Sequence, residues 1–372
     1  MQSADANVDV LIRGAGAVGS SLALALSAQG LSVALLGREE APRGPDVRTY
    51  ALNASAVSLL RELRVWDALP PEAIAPVYDM WVAGDAPGAR LDFSAWQQGV
   101  SELAFIVDAG ALDEQLAAAL RFAPRVTRVR EPVSARLTAL CEGRDSASRQ
   151  ARGVEFAAKA YGHHGVAARL ASDQPHQGVA RQWFRAPDVL ALLPFNRPEP
   201  GASHGLVWSV PAERAEALLA MPPEDFEREL NDATQGSAGR LQLGSERAAW
   251  PLMLAAASEV SGEGWVLLGD AAHLVHPLAG QGLNLGLADV ACLARVLAAR
   301  EPWRGLGDAR LLRRFARERY LPNLAMGQLT DALQRLFASD AGLVREARNR
   351  GLTALNHLPP LKRWLTQRAL GL

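Results

Sequence analysis

The chain has 372 residues, 49% hydrophobic and 21% charged, with 39 Lys or Arg against 40 Asp or Glu and a formal net charge of −1. That apolar content excludes intrinsic disorder, the charge balance excludes a surface basic all over for nucleic acid, and the length suits two domains. Cys141 and Cys292 are the only cysteines, so neither a disulfide framework nor a structural zinc site is expected, and the chain fits a reducing cytoplasm.

Met1–Asn7 carries Asp5, and the apolar stretch after it is broken by Asp9 and Arg13, which does not fit a secretory signal. Val8–Ile12 is predicted as a buried strand. Gly14 to Gly37 is uncharged and longer than the roughly 20 residues of a membrane helix. Its glycines, Ser20, Ser21 and Gln29 instead divide it into a turn, a helix over Ser21–Gln29 and a parallel strand over Leu31–Leu36.

Gly14-Ala15-Gly16-Ala17-Val18-Gly19 thus follows a strand and opens a helix, the context of a dinucleotide-binding turn. Gly14 permits the turn, Gly16 lets a pyrophosphate reach the backbone, Gly19 lets helix and strand pack closely, and the helix N-terminus faces the phosphates. An acidic residue is expected about twenty positions on to hold ribose hydroxyls. That position is Gly37, followed by Arg38 and Glu39, so Glu39 reaches back or the ribose is held without a carboxylate.

Further along, Arg61–Leu69 and Leu112–Leu120 are predicted helices. Between Tyr161 and Val210, short apolar runs broken by Gly, Pro and Asn predict antiparallel strands at Val179–Phe184, Val189–Phe195 and Gly205–Val210. A strand is predicted again at Trp265–Gly269, and helices from Gly280 onward. The order, a βαβ unit, a sheet-rich insert, then a returning strand and helix, is that of a nucleotide-binding domain with a second domain inserted in it. His163 and His164 are adjacent rather than at ligand spacing, so no metal site is expected, and a Ser/His/Asp hydrolase is set aside.

The stretch Gly269-Asp270-Ala271-Ala272-His273, with Pro277, Gly280-Gln281-Gly282, Asn284, Gly286 and Asp289, resembles the second signature of the FAD-dependent aromatic hydroxylases, the group A flavoprotein monooxygenases. The resemblance extends to Arg48-Thr49-Tyr50-Ala51-Leu52, Val65-Trp66, Leu192-Leu193-Pro194, Trp250-Pro251-Leu252 and the helix Arg313 to Tyr320, and is to the ubiquinone-biosynthesis branch. It implies an α/β fold with a Rossmann-like FAD-binding domain (1–75, 97–160 and 261–310), an inserted antiparallel-sheet substrate domain (76–96 and 161–260) and a helical C-terminal region (311–372).

The implied enzyme uses NADPH or NADH and O2 to hydroxylate a polyprenyl phenol. The implied FAD contacts are Gly14, Gly16, Gly19, Arg48, Asp270, Gly280, Gln281, Gly282 and Asn284. Physically, Asp270 at a strand's end could accept bonds from a ribityl chain, or only cap a helix, while amides at Gly280 to Gly282 could meet charge on the flavin ring.

The family's Asp-Gly loop appears as Glu142-Gly143-Arg144-Asp145-Ser146-Ala147-Ser148-Arg149, with Glu for Asp and a short segment before it. Glu142 and Gly143 are therefore either a nicotinamide or pyrophosphate loop or a charged surface loop. Arg48 is either a cation near the flavin or solvated. His273 and His276 are either an acid-base pair or packing groups beside the flavin, with no evident carboxylate partner at a suitable spacing; no catalytic residue is certain, and His273 and Pro277 stand as the catalytic candidates near the flavin.

The neutral total hides an asymmetry. From Leu293 to Leu372 there are fifteen Arg or Lys and six Asp or Glu. Leu361, Trp364, Leu365, Ala369 and Leu372 share one helical face, with Lys362, Arg363 and Arg368 around it. Such a helix suits either packing with a solvated basic side or peripheral contact with anionic lipid at the inner face of the cytoplasmic membrane. Nucleic acid is not expected. Two alternatives remain: a non-catalytic flavin-binding component working with other quinone-biosynthesis proteins, and a flavin-dependent prenyl-lipid reductase or halogenase.

Overall fold

The structure, a computed structural model, describes residues 7–37, 46–84, 89–275 and 281–338. Strand β1 (Val8–Arg13) runs through the glycine turn into helix α1 (Ala17–Ala28), and β2 (Val33–Leu36) returns parallel to β1. The helix starts four residues before the expected Ser21, because the turn itself supplies its first residues. Gly19 is already helical, and a Cβ there would lie 1.9 Å from the Gly14 carbonyl oxygen. The uncharged run is thus turn, helix and strand, and among the described residues no helix is long and apolar enough to cross a membrane.

Strand β3 (Thr49–Leu52) leads into α2 (Ala54–Glu62). The helix expected over Arg61–Leu69 lies earlier in the chain. Asn53 caps it by accepting from the Ala56 amide, and Arg64, with φ of 58°, ends it; only the single turn Trp66–Ala68 follows. Strands β4 (Ile74–Val77), β5 (Asp79–Ala83) and β6 (Arg90–Ser94) come next, then the short α3 (Ala95–Gln98) and β7 (Ala104–Asp108). Helix α4 (Ala109–Arg121) is capped by Asp108 and buries Leu112, Leu116 and Leu120. Strands β8 (Val126–Val129) and β9 (Ala135–Leu140) then lead straight into Glu142, so the segment before that residue is long enough for its strands.

After α5 (Ala147–Ala151), the 17-residue β10 (Phe156–Ser172) begins the large sheet. It continues with β11 (Val179–Arg185), β12 (Asp188–Phe195) and β13 (Ser203–Pro211), close to the predicted spans. Helices α6 (Ala212–Ala220) and α7 (Pro223–Thr234) cover one face of it. Strands β14 (Leu241–Leu243), β15 (Ala248–Ala257), β16 (Ser261–Gly262), β17 (Trp265–Leu267) and β18 (His273–Leu274) precede α8 (Gln281–Ala298) and α9 (Ala309–Ala338).

Among the described residues the strands form three sheets. One has the order β16-β17-β9-β1-β2-β8 and is parallel from β17 to β8. The second runs β18-β15-β10-β13-β12-β11-β5-β6, with β14 on β10, and β3-β7-β4 forms the third. The parallel sheet draws its strands from three distant stretches of chain. Its core joins Val10, Ile12, Leu137 and Val266 to α1, α4, α8 and Phe315 of α9.

Candidate active site

Parallel strands end on one edge, and register fixes which residues meet there. Arg13 pairs with Leu36 and Leu140, and Leu140 pairs with Leu267. The residues just beyond are Gly14, Gly37, Cys141-Glu142 and Gly269-Asp270, so four marked segments of the sequence converge on the edge where open α/β sheets bind ligands.

The glycine turn is shaped by backbone crowding. Gly14 has φ of 107°, and a Cβ there would lie 2.2 Å from the Cys141 carbonyl oxygen. A Cβ on Gly16, the N-cap of α1, would meet nothing within 4 Å. The first amides of α1 lack partners in their own helix, and no acidic side chain occupies its first turn. This bare helix end beside open space fits a pyrophosphate. Gly37 is explained by the same turn: a Cβ there would sit 2.5 Å from that of Ala15. A carboxylate cannot stand at that position while Ala15 does. Arg38 and Glu39 lie outside the described residues.

The two signatures, some 250 positions apart in sequence, touch through one side chain. Val18 packs against Gly269 and Gly286, where added Cβ atoms would lie 3.1 and 2.6 Å from its Cγ2. Asp270 is solvent-accessible yet crowded by surrounding protein, as a carboxylate lining a cleft should be. That crowding raises its pKa, opposed by His273, Arg144 and Arg48. These groups therefore share a field with Tyr50, whose hydroxyl is pushed up to about 12, chiefly by burial. Gln281 opens α8, and a Cβ on Gly282 would meet nothing within 4 Å. His276, Pro277 and Gly280 lie outside the described residues.

His273 does have a carboxylate partner, contrary to expectation. Its Nε2 donates to Asp289 Oδ2 at 2.7 Å, and both residues are buried. The same oxygen accepts from the Gly269 amide at 3.0 Å, while Oδ1 accepts from Arg319 Nε at 2.6 Å. Burial pushes the Asp289 carboxyl up, but His273, Arg319 and the Gly269 amide outweigh it and hold it below the ordinary value. The partner escaped sequence reasoning because it comes 16 residues later in the chain, two turns into α8. His273 is thereby turned toward α8 as a brace. Asn284 is a second brace: its Oδ1 accepts from Asn53 N at 3.0 Å and its Nδ2 donates to the Ala51 carbonyl at 2.7 Å, tying α8 to β3.

Glu142 is half-buried and anchored, not a free surface group. It accepts from Arg13 Nε at 3.0 Å, Ser146 Oγ at 2.6 Å, Ser148 Oγ at 2.8 Å and Ser148 N at 3.0 Å. Burial raises its pKa, but those serine bonds and the Arg13 charge bring it below the usual range. Gly143, with φ of 75°, turns the chain away. Buried Arg149 then donates to the Ala271 carbonyl at 2.9 Å and lies 3.6 Å above the Phe156 ring, joining this loop to the Asp270 turn.

Arg48 is bound on one side. Its Nε donates to Asp46 at 2.9 Å, which raises its pKa, and its guanidinium lies 6.0 Å from the Tyr50 ring centre. Arg169 of β10 donates to the Asp46 carbonyl and pairs with buried Asp108 at 3.0 Å, so the Arg48 corner is fastened to the large sheet. Along β13, Leu206, Trp208 and Val210 pack under α6 and α7. Gly205 and Val207 therefore face the other way, toward β3, where a Cβ on Gly205 would lie 2.8 Å from Thr49 Oγ1. The cross-strand partners of Val207 are Ala191 and Ala167, an apolar strip bordered on the same face by Arg169, Gln182 and Ser209.

A Gly-x-Ser-x-Gly string, Gly201-Ala202-Ser203-His204-Gly205, is present, but it makes no nucleophile elbow. It enters β13 instead of linking a strand to a helix, and Ser203 and His204 are fully buried. Ser203 Oγ is engaged with the Glu199 backbone, donating to its carbonyl at 2.8 Å.

Comparison with known proteins gives one direction. The family model described as an FAD binding domain matches residues 7–107 and 97–326. The ubiquinone hydroxylase UbiL of Rhodospirillum rubrum is 33% identical over 395 residues, covering 99% of this chain and 91% of that protein. The 3-demethoxyubiquinol 3-hydroxylase of Escherichia coli is 29% identical over 391 residues, covering 98% of each. In fold, the chain is similar to p-nitrophenol 4-monooxygenase PnpA from Pseudomonas putida, with a TM-score of 0.78, 17% identity and 98% of each chain covered.

Proposed function

The chain belongs to the FAD-binding-domain family of flavoprotein monooxygenases, and from that premise we propose that it hydroxylates a polyprenyl phenol on the route to ubiquinone. It is an FAD-dependent enzyme that uses NAD(P)H and O2 on an aromatic ring. The observation that carries the reading is the convergence of Gly14–Gly19, Glu142 and Asp270 on one sheet edge, with Val18 joining the first signature to the second.

FAD, when bound, supplies the redox and oxygen chemistry. The chain's own groups bind and orient. The open amides beside Gly16 hold the pyrophosphate, and Asp270 accepts from ribityl hydroxyls. The first turn of α8, at Gln281 and Gly282, offers amides to negative charge on the ring system. Arg48 adds a fixed cation, and Glu142 keeps the neighbouring loop in place. The apolar strip Ala167, Ala191 and Val207 excludes water beside the substrate ring.

In this reading residues 76–96 and 161–260 form the substrate side, and residues 1–75, 97–160 and 261–310 the cofactor side. A substrate with a polyprenyl tail resides in a bilayer, so the enzyme works in peripheral contact with anionic membrane lipid and beside other quinone-biosynthesis proteins. The features that favoured a non-catalytic component each have local causes: Ala15 excludes a side chain at Gly37, Glu142 is fully bonded, and β8 and β9 are formed.

The test is direct. Purified protein shows a flavin spectrum, and substrate stimulates NAD(P)H oxidation coupled to a product with one added oxygen. Two added hydrogens or a halogen would assign another reaction, and a flavin-free, inert protein would reject the enzyme. Deleting the gene leads to accumulation of a quinone precursor whose mass identifies the step.

A further inference from the structure

Helix α9 has two unlike sides. Leu311, Leu312 and Phe315 are buried, and Arg319 reaches Asp289, so this side faces α8. At 3.6 residues per turn, the opposite side carries Arg310, Arg313, Arg317, Tyr320, Leu321 and Leu324 within an arc of about 100°. All six are exposed, Tyr320 by 63% and Leu321 by 68%. Between residues 310 and 324 no carboxylate falls in that arc; two turns further along the same side Asp331 pairs with Lys159 at 2.8 Å, so the free stripe ends before it. Neighbouring Arg304, Arg314 and Arg319 have acidic partners, whereas Arg310, Arg313 and Arg317 have none among the described residues. The stripe spans about 21 Å at 1.5 Å per residue, with cations toward its start and apolar groups toward its end. A shallow groove of about 650 Å³ runs beside the three arginines and Tyr320, with Glu259 and Val260 among its other lining residues.

We propose that this face of α9 docks on an anionic phospholipid surface. The guanidiniums take headgroup phosphates, and Tyr320, Leu321 and Leu324 enter the boundary with the acyl chains. Charge complementarity selects the partner. Nucleic acid would satisfy the three arginines but offer nothing apolar to Leu321 and Leu324. A second copy packed antiparallel would set each arginine cluster on the other's leucines without a counter-charge. An anionic bilayer supplies both phases in the order in which the helix presents them. The proposal deepens the peripheral contact inferred above by naming its surface, and it places that surface within α9.

The test uses the FAD-loaded full chain and vesicles of phosphatidylcholine with or without phosphatidylglycerol. Wild type floats with the anionic vesicles only, and added salt releases it. The triple variant Arg310→Gln/Arg313→Gln/Arg317→Gln loses about fivefold in partitioning per arginine, on the order of a hundredfold together. Leu321→Ser/Leu324→Ser weakens binding while leaving its salt dependence. Both variants keep the flavin spectrum and the turnover of detergent-dispersed substrate, so a docking failure is distinguishable from a failure of the enzymatic reading. Wild type that ignores anionic vesicles, or a triple variant that floats as wild type does, overturns the proposal. So does a triple variant whose only change is from dimer to monomer, or from RNA-bound to free.

Discussion

Asp289→Asn tests whether a buried carboxylate organises the flavin end of the sheet. Asp289 is 1% exposed and accepts from three donors: the Gly269 amide, His273 Nε2 and Arg319 Nε. An asparagine of the same shape has one oxygen and one NH2. Whichever way the NH2 points, Arg319 loses its counter-charge, and if it faces Arg319, the guanidinium Nε–H loses its acceptor as well. If it faces the other side, His273 can change tautomer and accept, but the Gly269 amide then loses its acceptor. Removing one partner of a buried charge pair costs roughly 3–5 kcal/mol, and an unsatisfied buried amide about 1–3 kcal/mol. We expect a loss near the meeting of these ranges, about 3 kcal/mol in unfolding free energy at neutral pH. Because Gly269 directly precedes Asp270, FAD affinity falls as well, by on the order of tenfold to a hundredfold. His273→Gln, which can still donate to Asp289, loses about 1 kcal/mol. Flavin fluorescence titration and chemical denaturation of both variants read these numbers. An Asp289→Asn protein within about 0.5 kcal/mol and twofold in FAD affinity of wild type would refute the bracing role.

Three further outcomes follow from local geometry. Gly37→Asp restores the acidic residue common in dinucleotide sites, yet it weakens FAD binding because its Cβ meets Ala15 at 2.5 Å; Gly37→Asp with Ala15→Gly recovers affinity in the same titration, and a single variant that binds better than wild type would show the contact to be harmless. Glu142→Asp restores the family's residue but is one methylene short of spanning Arg13, Ser146 and Ser148, so it loses about 1–2 kcal/mol in denaturation, not a gain. His204 is fully buried, its ring nitrogens have no partner among the described residues, and burial lowers its pKa to about 3. Below the ordinary value of 6.5 the unfolded chain binds a proton that the folded one refuses, so this group makes stability fall by about 1.4 kcal/mol per unit of pH decrease down to about 3. His204→Leu removes that slope and gains about 2 kcal/mol over wild type between pH 7 and pH 5, measured as the change in their stability difference; equal slopes would place the proton elsewhere.

The parts of this molecule legible in sequence are those governed by short-range rules. The glycine turn, the βαβ unit and the strands at 179–210 follow from local periodicity and turn chemistry, and the structure shifts them by a few residues at most, except where α1 absorbs part of its own turn. The misplaced helix near Arg61 marks a limit of that method, since its start depends on a single cap, Asn53, which is itself held by Asn284 from across the core. The braces of the site were invisible for the same reason. Arg149 reaches Ala271 across 122 residues, and Arg319 reaches Asp289 across 30. Gly37 and Glu142 looked like erosion of two motifs because a motif records residue types and not the neighbours that license them. Ala15 decides the first and the Ser146–Ser148 turn the second. Compensation by an adjacent residue separates a tolerated departure from a lost function, and it can be read only once the neighbour is placed.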